Sequence, residues 1–224
     1  MKSILKNIKY LLLFTSFPLL LSGCFDFVEE IHLNEDGTGT VKYKLNLSKS
    51  KTKLGSIMLL DSIKGFAVPD EDALHQKLTH LKSHLTEQQG LRNVQLEENW
   101  DDFIFEISFD FDSVAALNGG FESAMSKDEH AKAFFFAPFK ASEDRFERNY
   151  IHQDYSVLKG WDDNFIEVLE NATFIAVYRF DKNVVSQSNS NYLLSKNGKA
   201  VLFKSSFLDL IKKKSTLLNT ITLK

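Results

Sequence analysis

The chain has 224 residues but only one cysteine, three prolines and ten glycines. A lone thiol excludes an intrachain disulfide, so core packing must hold the fold. Scarce proline and glycine, beside 43% hydrophobic and 25% charged residues, exclude long linkers and extended disorder. No apolar run reaches the ~20 residues that a permanent membrane-spanning helix needs. Basic residues are in deficit as well. Residues 24–195 carry 17 basic against 29 acidic side chains, whereas seven lysines face Asp209 alone from Lys196 onward. An acidic body lacks the cationic footprint of nucleic-acid binding, so nucleic acid is not an expected partner. The nucleophile-elbow, phosphate-loop and dinucleotide fingerprints are missing too. Phenylalanine, in contrast, is abundant at twenty copies, which suits a strand-rich core.

Residues 1–9, with Lys2, Lys6 and Lys9, form a short cationic leader, and Tyr10 to Leu20 form an apolar run. The run ends in Leu21-Ser22-Gly23-Cys24, which resembles the bacterial lipobox. Small residues there let a protease approach the backbone, and the thiol becomes the thioether to diacylglycerol. The expected organisation is a signal peptide over 1–23, cut before Cys24. One extracytoplasmic domain over 24–224, with a short basic C-terminal tail, would follow. Each buried acyl methylene contributes ~0.8 kcal/mol, so two or three chains on Cys24 hold the protein on its membrane. Phe25 in place of aspartate after the cysteine points to the outer membrane if the host is Gram-negative.

Phe25, Phe27, Ile31 and Leu33 alternate, as do Val41, Tyr43, Leu45 and Leu47, so residues 25–48 read as a hairpin around Asp36-Gly37. A helix is expected over 48–64. A second begins after Pro69, capped by Asp70, with Leu74, Leu78, Leu81 and Leu85 on one stripe and Gly90 beyond its end. A second hairpin covers 91–111. A short helix from Ser113 to Leu117 is expected to break at Asn118-Gly119-Gly120. Strands follow at 133–141 and 145–153, a helix at 154–171, and a strand at 173–180. Asn197-Gly198 signals a type I′ hairpin between 192–195 and 200–203. Residues 206–224 read as a weakly amphipathic helix with a frayed tail. Hairpins alternating with helices give an α+β class: an antiparallel sheet with its helices on one face.

His80 and His84 are spaced for one metal, but no third ligand accompanies them, and neither metal nor cofactor is expected. Carboxylates at Glu97, Glu98, Asp101, Asp102, Glu143, Asp144, Asp162 and Asp163 sit at turns and helix starts, where they solvate and cap. No catalytic residue is therefore assigned. Phe134, Phe136 and Phe139 present rings on both faces of one strand. With Trp161 and Phe165 on the following helix they are candidates to line an apolar ligand site.

The lipidated Cys24, the Asn34-Glu35-Asp36-Gly37-Thr38-Gly39 turn, the Val177-Tyr178-Arg179-Phe180-Asp181-Lys182-Asn183-Val184 segment and the strand at Gly198 to Val201 together resemble the LppM-like lipoproteins. The chain departs from them at Asp181-Lys182, where Pro-Gly is common, and in having a basic tail where they often carry a transmembrane helix. The resemblance implies an α+β envelope domain associated with lipid binding and no catalytic residues. Three functional readings follow. The first is a non-enzymatic lipoprotein that binds a lipid or another envelope component. The second is a structural, partner-binding subunit of an envelope complex, and the third an envelope hydrolase.

Overall fold

A computed structural model of the chain describes residues 25–63, 66–125, 139–149 and 171–224. Strands β1 (Asp26–Leu33) and β2 (Gly39–Asn46) form the first hairpin. Its turn is closed by Asp36, whose Oδ1 accepts from the Thr38 amide at 3.0 Å and the Thr38 hydroxyl at 2.7 Å. Gly37 supplies the left-handed φ of 84°. Gly39 is required for a different reason: a Cβ there would collide with the His32 carbonyl and the Phe111 ring.

A short 3₁₀ turn and helix α1 (Lys51–Ile57) follow, then the two-residue strands β3 (Ser62–Ile63) and β4 (Phe66–Ala67), which pair with each other. The helix expected over 48–64 is thus cut short. None of the α1 residues is buried, and a short helix without a packed face gains too little to propagate. Helix α2 (Glu71–Thr86) matches its expectation, with the Asp70 carboxylate accepting from the Ala73 amide at 2.8 Å. Strands β5 (Leu91–Asn99) and β6 (Ile104–Phe111) form the second hairpin.

Helix α3 (Val114–Met125) runs through Asn118-Gly119-Gly120 instead of ending there. The Asn118 amide group holds the Phe139 backbone in both directions, donating to its carbonyl at 2.7 Å and accepting from its amide at 2.9 Å. A Cβ on Gly120 would stand 2.7 Å from Leu91 Cδ1. The polar, side-chain-poor stretch is therefore a docking surface for neighbours rather than a helix stop.

Next come β7 (Phe139–Ser142), β8 (Arg145–Arg148), β9 (Thr173–Phe180), β10 (Val184–Gln187), β11 (Leu193–Leu194) and β12 (Ala200–Ser206). In the β11–β12 turn only Gly198 has positive φ, at 72°, and its amide donates to the Ser195 carbonyl at 3.0 Å. Type I′ geometry needs positive φ at both central residues, so that expectation is corrected. The final stretch is helix α4 (Phe207–Ile211) followed by strand β13 (Asn219–Leu223), not one helix with a frayed tail. Buried Asn219, Ile221 and Leu223 alternate with half-buried Thr220 and Thr222, the period of a strand.

The fold class is α+β, as the alternating elements predict. Its main sheet has seven strands in the order β11-β12-β9-β1-β2-β6-β5. Every pairing is antiparallel except β1 with β9, so the sheet is not assembled from hairpins alone. A second sheet has the order β10-β13-β8-β7. One face of the main sheet carries Phe27, Ile31, Leu33, Phe174, Tyr178, Phe180 and Phe203, and two different layers cover it. The second sheet lies over the β1/β9/β12 half, with Phe146 packed 5.2 Å from Tyr178 and 5.5 Å from Phe180 between ring centroids. Helices α2 and α3 lie over the β2/β6/β5 half. The opposite face is polar, with the Lys42–Glu106 and Arg179–Glu30 ion pairs at 2.6 and 2.7 Å.

Candidate apolar binding site

The leucine stripe of α2 does not close onto the sheet. Leu85 at its C-terminal end is buried, but Leu74, Leu78 and Leu81 remain half-buried. Between them and the sheet lies a cavity of about 450 Å³. Its floor comes from alternate residues of β2 and β6, chiefly Leu45, Phe105, Ile107 and Phe109, which pleating places on one face. At one end stand Leu47 and Trp100. The Trp100 ring meets Phe105 edge to face at 4.7 Å, and its Nε1–H donates to Glu98 at 3.0 Å, so the indole is held in place. Lys77, exposed on α2, borders the cavity as a cation. The lining is otherwise almost wholly apolar, which suits a hydrocarbon.

A second hollow, about 720 Å³, lies at the far end of the sheet between the β1–β2 turn, the start of α3 and β7. Its walls are mixed, with Asn34, Asn118, Lys140 and Glu143 beside Leu33 and Phe180.

Between the two sheets sits a buried ionic cluster. Glu29 and Arg148 are 4% and 3% exposed, and Arg148 Nη2 donates to Glu29 Oε2 at 3.1 Å. The Tyr178 hydroxyl donates to Glu29 Oε1 at 2.6 Å and accepts from Arg148 Nε at 3.0 Å. The guanidinium also lies 4.5 Å above the Phe139 ring. Burial, reinforced by the Glu29 carboxylate, pushes the Tyr178 and Tyr43 hydroxyls well above their ordinary values. For Arg148, burial works against the charge, but Glu29 outweighs it and the guanidinium is held more firmly protonated. The cluster joins the second sheet to the main one.

Of the residues singled out from sequence, Phe139 is 3% exposed, stacks on Phe146 at 5.7 Å and lines the second hollow. Leu21, Ser22, Gly23, Cys24, Phe134, Phe136, Trp161 and Phe165 lie outside the described residues. His84 Nε2 is 2.6 Å from Ser123 Oγ, while His80 is exposed. Among the described residues no three His, Cys, Asp or Glu side chains converge on one point. The leucines of α2 were legible as a buried stripe, but not as the wall of a cavity. Glu29 did carry a signal: it occupies an inward position of β1, between Phe27 and Ile31, where a charge must find a buried partner.

No known protein family and no curated protein matches this chain. Among solved structures it is similar to the folded domain of the Mycobacterium tuberculosis protein LppM, determined by NMR. The identity is 10% and the TM-score 0.39, over 89% of this chain and 87% of that one.

Proposed function

We propose that the protein is a bacterial envelope lipoprotein anchored through Cys24, and that its domain holds a single acyl chain between α2 and the main sheet. The observation that carries this reading is the cavity itself. At about 450 Å³ it falls within the ~300–1,000 Å³ of small-molecule sites. Its lining is mostly apolar, and Lys77 at its border suits a carboxylate or phosphate head group. The hydrophobic effect supplies ~0.8 kcal/mol per methylene transferred, so a long chain binds without further polar contacts. The lipobox sequence supports the anchor, and with it a place in the outer membrane if the host is Gram-negative.

The test is titration of the chain beginning at Cys24→Ser with a fluorescent fatty acid. One saturable site is expected, and Leu78→Trp, which fills the cavity from α2, should abolish it while the far-ultraviolet dichroism stays unchanged. Absence of saturable binding, or undiminished binding by Leu78→Trp, refutes the reading. One observation favours a partner-binding role instead: edge strand β11 exposes Leu193 and Leu194 at 66% and 51%. An added strand on that edge would identify the protein as a structural subunit.

A further inference from the structure

The main sheet has two ends, and one of them combines the path to the anchor with an exposed leucine pair and a lysine run. Asp26 at the start of β1 is level with Asn46 at the end of β2 and Thr173 at the start of β9. Thr173 is level with Ser206 at the end of β12, and Asn46 with Ile104 at the start of β6. The chain therefore emerges toward Cys24 at this end, and the segments after β2 and after β12 depart from the same end.

Each of those segments carries an unused feature. After α1, Leu59 is 86% and Leu60 50% exposed, unusual for adjacent large apolar side chains. The segment is held to this end by Lys49 on Asp26 at 3.0 Å and Lys51 on Asp102 at 3.3 Å. Those two cations are matched by carboxylates, and exposed Asp61 and Asp101 add negative charge on this side, so attraction to an anionic surface falls to the lysines after β12. After β12, α4 lays Phe207 against Phe25 at 5.3 Å between centroids, next in sequence to Cys24. Beyond it Lys212, Lys213 and Lys214 are all exposed, with Asp209 the single acid from residue 196 onward. The opposite end is of mixed charge, with the exposed acidic turn Glu35-Asp36 near Lys140, Lys182 and Lys199.

We infer that this end docks on an anionic bilayer, with Leu59 and Leu60 entering the interface and Lys212 to Lys214 meeting lipid phosphates beside the anchor. The inference rests on the anchored-lipoprotein reading for its orientation and explains two features that the acyl cavity leaves unused. It also gives the cavity a direction. Its Leu47–Trp100 end lies at the docked end of the sheet, so a chain leaving the membrane has a short path to it. Basic side chains near an anionic surface and apolar side chains in the interface add, and neither suffices alone.

The test uses the lipidated full chain reconstituted into phosphatidylcholine vesicles with or without phosphatidylglycerol. Cys24 is acylated on this reading, so Leu59→Cys introduces a single free thiol for a polarity-sensitive dye. Spin-labelled lipid should quench the dye at Leu59→Cys in the anionic vesicles, but not at Glu35→Cys on the opposite turn. Equal quenching at the two positions, or none at Leu59→Cys, overturns the inference. Independently of the anchor, the chain beginning at Cys24→Ser should co-sediment with anionic vesicles. Lys212→Glu/Lys213→Glu/Lys214→Glu should weaken this at least about tenfold. Sedimentation unaffected by that charge reversal also overturns it. Failure of the anchor reads out differently, as a full chain that does not stay with washed vesicles while the soluble chain still docks.

Discussion

Replacing Arg148 with methionine should unfold this protein far more readily than its single position suggests. Methionine keeps most of the volume and the contact with Phe139 but removes the guanidinium hydrogen bonds to Glu29 at 3.1 Å and to Tyr178 at 3.0 Å. Glu29, only 4% exposed, is left charged with the Tyr178 hydroxyl as its remaining partner among these three. Breaking one side of a buried ion pair costs ~3–5 kcal/mol, because the surviving charge has lost its solvent and its counterion together. Against a total stability of ~5–15 kcal/mol, that is a large share. With a urea slope of about 2 kcal/mol per M, the midpoint falls by about 2 M. The partner experiment removes both charges. Glu29→Leu/Arg148→Met leaves no buried ion and should recover most of the loss, returning to within ~1 kcal/mol of the parent or exceeding it. The assay is equilibrium urea unfolding of the four proteins of the cycle, read by tryptophan fluorescence and by dichroism. A loss below ~1 kcal/mol for Arg148→Met would mean that water reaches the pair. A double variant as unstable as the single would mean that the charges are not coupled. Either result refutes the picture of a dry ionic joint between the sheets.

Cys24→Ser in the full chain should abolish acyl labelling and move the protein out of washed membranes; retention there would remove the anchor from the account. Phe109→Ala, at a position 3% exposed on the packed face of β6, should cost ~3–5 kcal/mol in urea melts. Glu106→Ala, on the opposite face and bound to Lys42, should cost within ~1 kcal/mol, and the reverse order would put the strand one residue out of register. Alkaline titration should destabilise the fold. Tyr43, Tyr178 and Tyr192 have raised values in the folded state against an ordinary 10.0. Their contribution is full below that value and declines by ~1.4 kcal/mol per pH unit for each tyrosine above it, as the unfolded chain ionises first. A melting temperature unchanged between neutral pH and well above 10 contradicts the burial of these hydroxyls.

Local chemistry determined much of this protein. Period-two alternation placed the 25–48 and 91–111 hairpins and the strand Thr173–Phe180, and the Asp70 cap with its leucine stripe placed α2, because strand and helix periodicities are written in consecutive residues. Other features came only with the tertiary structure. Asn118-Gly119-Gly120 looks like a helix stop until Phe139 and Leu91 arrive to bond the amide and to need the space beside Gly120. Residues 219–223 carry too few apolar positions to announce a strand, and become one because β8 and β10 offer backbone partners on both sides. Glu29 and Arg148 are 119 residues apart, so a charge at an inward position of β1 revealed that a partner must exist but not which one. The cavity is the clearest case. Four leucines on one stripe predict a packed face, yet Leu74, Leu78 and Leu81 line a cavity whose other walls include Trp100, Phe105 and Leu47. Burial is a property of two surfaces meeting, and a sequence pattern describes only one of them at a time.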